Sequence, residues 1–176
     1  GGAQTSEFDL YADQYEANKH FFLSHYFKDN YDKALQDLPF INSAINITKV
    51  EVWVTNKTGT TNETRNIVSF LDLGETTQNI NNTLVTTTNG GNFPDNNAAN
   101  NLFESLTTQF SSIRDINEVN NVLSQLIPFN FLNGQDYEKL ERARKLSESE
   151  YSINRQLGYI SLNQALNNDE VLSVAF

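Results

Sequence analysis

Apolar positions along the chain change period several times, and each change marks an element. In 9–27, Tyr11, Tyr15, Phe22 and Tyr26 follow one another at steps of four, seven and four, which places them on one side of a 3.6-residue helix. The spacing predicts an amphipathic helix with a buried aromatic seam. A second short helix is predicted over 31–38, ended by Pro39, because proline disfavours helical geometry in the residue before it. From 46 to 55 the period becomes two. Thr48, Val50, Val52 and Val54 face one way, while Ile47, Lys49, Glu51 and Trp53 face the other, as in a strand with one strongly apolar face. Residues 56–64 (NKTGTTNET) form a turn-rich link, and 65–73 (RNIVSFLDL) is again β-branched and apolar until Gly74. These two strands are expected to pair as a hairpin.

Residues 75–101 are dominated by Asn, Thr and Gly and offer little apolar surface to offset the entropy of ordering, so a mobile loop is expected over 76–98. Ala99, Leu102, Phe103, Leu106, Phe110 and Ile113 then trace an amphipathic helix. Asp115 to Glu118 has the form of a capping box, opening a helix that carries Ile116, Val119, Leu123 and Leu126 and stops at Pro128. In 136–146, Tyr137, Leu140 and Ala143 share one side of a further predicted helix. Arg142, Arg144 and Lys145 lie near its end, where cations suit the helix dipole. Two tail strands, 156–162 and 170–176, are linked by the polar NQALNND. The sum is an α+β fold, with one mainly antiparallel sheet of about four strands and helices packed on one face. The stripe over 99–113 is expected to cover Val50, Val52 and Val54.

At 176 residues the chain fits a single soluble domain over 1–176. The lack of methionine, and an alternating pattern still running at Phe176, lead to the expectation that this domain is excised from a larger chain. Charged residues are only 19% of the total, and Asn alone is about one residue in seven; such a polar, weakly charged surface favours an exported origin. The net charge of −10 opposes a phosphate backbone, so no nucleic-acid partner is expected. Absence of cysteine removes disulfides, thiolate nucleophiles and thiolate zinc sites. No stretch approaches the roughly 20 apolar residues of a spanning helix, and direct membrane insertion is not expected.

Candidate chemistry is sparse. His20 and His25 are the only histidines, and their spacing of five does not share a helix face for metal binding. Any Ser-His-acid triad would have to recruit one of them, and no Gly-x-Ser-x-Gly elbow is present. The acidic pairs Asp13/Glu16, Asp29/Asp32 and Asp72/Glu75 are ordinary for an acidic protein. Asp95, Asn96 and Asn97 lack the spacing of a calcium loop, and Gly90-Gly91 lacks the context of a phosphate loop. Asn46, Asn56, Asn62 and Asn81 match the glycosylation acceptor pattern, as an Asn/Thr-rich chain will by chance. Trp53 with nearby tyrosines offers a sugar-stacking platform if its sheet face is exposed. On this reading there is no catalytic, cofactor-binding or metal-binding residue, no cofactor, and no enzyme activity.

Four segments carry a resemblance: YADQYEANKHFFLSHYF (11–27), LPFINSAINITKVEVWVTNKTG (38–59), TRNIVSFLDLGE (64–75) and QLGYISLNQALNNDEVLSVAF (156–176). In these the chain resembles the SprA family, very large outer-membrane proteins of gliding motility and type IX secretion in Bacteroidetes. The resemblance does not extend over 76–135. It implies a non-barrel, non-catalytic structural and interaction domain of a secretion translocon in the cell outer membrane, lying extracellularly or in the periplasm. The implied partners are the rest of the parent barrel chain, other components of the secretion complex and exported cargo. A carbohydrate- or surface-binding module of an exported protein is the alternative, carried by Trp53.

Overall fold

The structure is a computed structural model that describes residues 16–59, 61–70, 102–126 and 130–176. The expected loop at 76–98, Tyr11, Tyr15 and Pro128 lie outside these residues. The described elements are β1 (His20–Phe22), α1 (His25–Ala34), β2 (Glu51–Val54), β3 (Thr64–Phe70), α2 (Leu102–Thr108), a 3-10 turn (Ser111–Arg114), α3 (Val119–Gln125), β4 (Tyr137–Lys145), β5 (Tyr151–Asn154), β6 (Tyr159–Leu162) and β7 (Leu172–Ala175). Among the described residues the strands form two antiparallel sheets, ordered β1-β6-β5 and β3-β4-β2-β7. The single four-stranded sheet expected from the sequence is therefore corrected. β6 belongs to the smaller sheet and β7 to the larger.

The expected β2–β3 hairpin does not form, because β4 lies between them: Val54 and Thr64 both align with Arg144. This also corrects the helix expected over 136–146. Tyr137, Leu140 and Ala143 are all buried at a spacing of three, but for strand reasons. Tyr137 and Leu140 are an odd number apart and so face opposite sides. Between Leu140 and Ala143 one extra residue is accommodated, since these pair with Ile67 and Arg65. Arg142 takes a left-handed backbone (φ 50) and donates its N–H to Asn66 Oδ1 at 2.8 Å. This β-bulge resets the alternation and produces a helix-like spacing within a strand.

Register assigns the two faces of the larger sheet. Val52, Val54, Leu146, Val68, Phe70 and Tyr137 share one face. On it, Val52, Val54 and Leu146 pack with Ile160 and Leu162 of β6, so the valine face of β2 is covered by the smaller sheet and not by a helix. At the other end of that face, Leu102, Leu106, Val119 and Leu123 form a second cluster with Tyr137, Val68 and Phe70. The opposite face carries Trp53, Leu140 and Ala143, with Ile67 and Val171. Ser173 Oγ of β7 donates to Ser69 Oγ of β3 at 2.8 Å, so the two outer strands approach each other and the sheet curls around Trp53.

Four further predicted helices are redrawn. Residues 20–22 are a strand, since Asn18 enters the left-handed region (φ 56) and Phe21 pairs with Ile160, turning into the inter-sheet core. The following helix spans 25–34, earlier than the expected 31–38. The stripe over 99–113 is helical only to Thr108, where the hydroxyls of Thr107 and Thr108 both donate to the Glu104 carbonyl, competing with main-chain bonds. Asp115 Oδ1 accepts the Asn117 N–H at 2.9 Å, an Asx turn in place of the expected capping box, and α3 begins at Val119 without a side-chain cap.

Candidate functional site

The histidines expected to be idle are placed differently from one another. His25 opens α1, while His20 lies on β1 directly opposite Ser161 of β6. Ser161 Oγ is 2.8 Å from His20 Nδ1, and Glu16 Oε2 is 2.8 Å from His20 Nε2. A serine, a histidine and a carboxylate are thus joined in series, a constellation that residue spacing had not indicated because it depends on strand pairing.

Its surroundings decide what this row can do. The Ser161–His20 contact follows from register, since directly paired residues bring their side chains within reach. Glu16 is exposed and also pairs with Lys19 at 2.6 Å. The Lys19 and His20 side chains hold its carboxyl below the usual range, yet the pair stands in water, where its field on the imidazole is screened. Acyl transfer also needs donors aimed at a developing oxyanion. Ser161 sits on β6, the central strand of its sheet, so the main-chain N–H groups around it are committed to β1 and β5. The row ties β1 onto β6 through the Ser161–His20 contact.

Trp53 is only 5% exposed. It lies inside the curled sheet, its indole N–H donates to Glu51 Oε2 at 3.3 Å, and Arg65 and Lys145 stand 5.6 and 5.7 Å from its ring centre. The sugar platform expected on this residue is therefore corrected, since its faces are taken by protein atoms and cations. Asp29 and Asp32 are exposed on α1. Asp13, Asp72, Glu75, Gly90, Gly91, Asn81 and the Asp95–Asn97 group lie outside the described residues. No cluster of three or more His, Cys, Asp or Glu poised for a metal occurs among the described residues. No helix among them is long and apolar enough to cross a membrane.

The surface has two features that the sequence did not single out. Leu38 and Phe40, on the loop after α1, are 66% and 76% exposed, and Phe22, Leu132 and Phe176 are also open to solvent. Phe22, Tyr31 and Tyr159 meet edge to face, with ring centres 5.4 to 6.4 Å apart. Beside this cluster a groove of about 290 Å³ runs between α1, the 42–44 segment and the β5–β6 turn.

Compared with known families, residues 1–167 match SprA_N, described as a motility related/secretion protein. No curated protein matches the chain.

Proposed function

Since the chain belongs to the SprA_N family of motility-related secretion proteins, we propose that it is a non-catalytic structural and interaction domain of a large outer-membrane translocon. That translocon would serve gliding motility and type IX secretion. The family match across 1–167 carries this reading. The exposed Leu38 and Phe40 support it, because two large apolar side chains close together on one loop offer a partner apolar surface to bury. The partners are the rest of the parent chain, other secretion components or passing cargo, on the extracellular or periplasmic side of the outer membrane.

The test uses the full-length protein in cells. Leu38→Asp with Phe40→Asp leaves the core intact and places two carboxylates on the proposed contact. Secretion and gliding should fall while the parent still inserts in the outer membrane. The chain itself has no cysteine, so Phe40→Cys carrying a photo-crosslinker reports the neighbour at that position, and protease treatment of intact cells reports the side. Normal secretion by the double variant, with no crosslink from position 40, would overturn the interaction role. Ester or peptide turnover by the purified chain that disappears in Ser161→Ala would overturn the non-catalytic role.

A further inference from the structure

The groove beside α1 differs in chemistry from the rest of this acidic chain. Its polar lining consists of the amides of Asn30, Asn42 and Gln156, the phenols of Tyr26 and Tyr31, the Ser43 hydroxyl and one cation, Lys33, with no carboxylate among its described lining residues. The chain as a whole has 22 Asp and Glu against 12 Lys and Arg. Primary amides pair a donor with an acceptor in one plane, which matches vicinal hydroxyls, and tyrosine rings offer an apolar surface with a polar tip. Lys33 adds a point positive charge.

The backbone that carries the lining is held in place before any ligand arrives. Asn30 Nδ2 donates to the Tyr26 carbonyl at 2.8 Å, which leaves its own carbonyl oxygen as an acceptor. Tyr31 is braced edge to face by Phe22 and Tyr159. The Asn42 N–H donates to the Ala34 carbonyl at 2.9 Å, tying the 42–44 segment to the end of α1. Gln156 is fixed at its main chain by Asn154 Oδ1 at 3.2 Å. Lys33, Asn42 and Gln156 are themselves exposed at the mouth. Bracing of Asn30, Tyr31 and the backbone lowers part of the ordering cost of binding, and the volume sits at the small end of ligand sites.

We propose that this groove binds an acidic saccharide, with Asn30, Asn42 and Gln156 taking ring hydroxyls, Tyr31 offering an apolar edge, and Lys33 pairing with the sugar's carboxylate or phosphate. The site is separate from the Leu38 and Phe40 contact and holds whether or not the chain docks within a translocon.

The test is an amide-resolved NMR titration of the 176-residue chain with trigalacturonate, maltotriose and inorganic phosphate. Trigalacturonate should shift residues of α1, 42–44 and 156–157, with a dissociation constant on the order of 1 mM or tighter. Asn42→Ala with Gln156→Ala, both exposed and outside the core, should weaken it roughly tenfold. Lys33→Gln should bring trigalacturonate down to the level of maltotriose. The proposal is overturned if none of the saccharides shifts these residues, if the double variant binds as tightly as the parent, or if phosphate alone reproduces the full response. The last result would reduce the groove to one lysine binding any anion.

Discussion

Gly59 and Gly158 make a matched pair of test positions, because they share a left-handed backbone (φ 66 and 65) and differ in what surrounds them. A Cβ on Gly59 meets nothing within 4 Å, whereas one on Gly158 would fall inside the ring of Phe27. Phe27 is 3% exposed and fastens α1 to the β5–β6 turn, so displacing its ring costs buried contacts. For Gly59→Ala only backbone terms apply. Left-handed strain costs about 1–2 kcal/mol, offset by about 0.4–1 kcal/mol from the stiffer unfolded chain, a net loss of at most about 1.6 kcal/mol. Gly158→Ala carries the same terms plus the overlap. If the ring shifts within the core, overpacking adds about 1–3 kcal/mol; if Phe27 is expelled, the loss approaches the roughly 3–5 kcal/mol of a Phe→Ala truncation.

Urea denaturation followed by the single tryptophan, Trp53, reads both variants, provided the slope is unchanged so that the midpoint reports stability. Gly158→Ala should lie about 1–5 kcal/mol below Gly59→Ala. The double variant Phe27→Ala/Gly158→Ala should be more stable than the sum of its parts by about 1 kcal/mol or more, since the first change removes what the second strikes. Equal midpoints for the two alanine variants, or strict additivity, would refute the placement of α1 on the turn.

Glu150 provides a pH-dependent prediction. Burial raises its pKa, but the Ser147 amide, the Arg144 guanidinium and the Ser147 hydroxyl outweigh burial and hold it below the usual carboxylate range. A depressed carboxylate contributes stability above its unfolded pKa of about 4.3 and loses it as pH falls through the lower folded value; thermal melts between about pH 6 and 3 should therefore show less acid sensitivity in Glu150→Gln than in the parent. Arg142→Gly tests β4. At a bulge with φ 50 glycine relieves left-handed strain of about 1–2 kcal/mol against its entropic penalty of about 0.5–1 kcal/mol, so its melt should be unchanged or higher, whereas in a helix interior the same change would destabilise by about 1 kcal/mol.

Elements were legible where one face was buried and the alternation was regular. β2 was predicted from Val52 and Val54, and β3 from the run through Ile67 and Val68, because period two survives pairing with any neighbour. Which neighbour it would be was not legible. Short chain separation favoured β2 with β3, yet β4 joins both, and its own residues favour a helix: Glu138, Lys139, Leu140, Glu141, Arg142, Ala143 and Arg144 are good helix formers apart from their context. Tertiary pairing overrides that preference. Burial of Tyr137 on one face and Leu140 and Ala143 on the other, with a bulge at Arg142, satisfies two cores that a helix with one apolar side could reach only singly.

The same limit governs the candidate sites. Trp53 with nearby tyrosines read as a platform on the condition that its sheet face is exposed, and that face also carries the charged Lys49 and Glu51. Here the cations serve the ring: Arg65 and Lys145 come from β3 and β4 to lie over it, so that a polar-looking face closes on itself when the sheet curls. Ser161, His20 and Glu16 come together only because β1 pairs with β6 across most of the chain's length, and no local spacing encodes that. The groove beside α1 likewise draws on 26–34, 42–44 and 156–157, three segments with nothing in common in sequence except uncharged amides and phenols. Asparagine abundance, which in the sequence marked only a polar, weakly charged surface, takes on a place in the fold where packing brings Asn30, Asn42 and Gln156 to one groove with Lys33 and no carboxylate among its described lining residues.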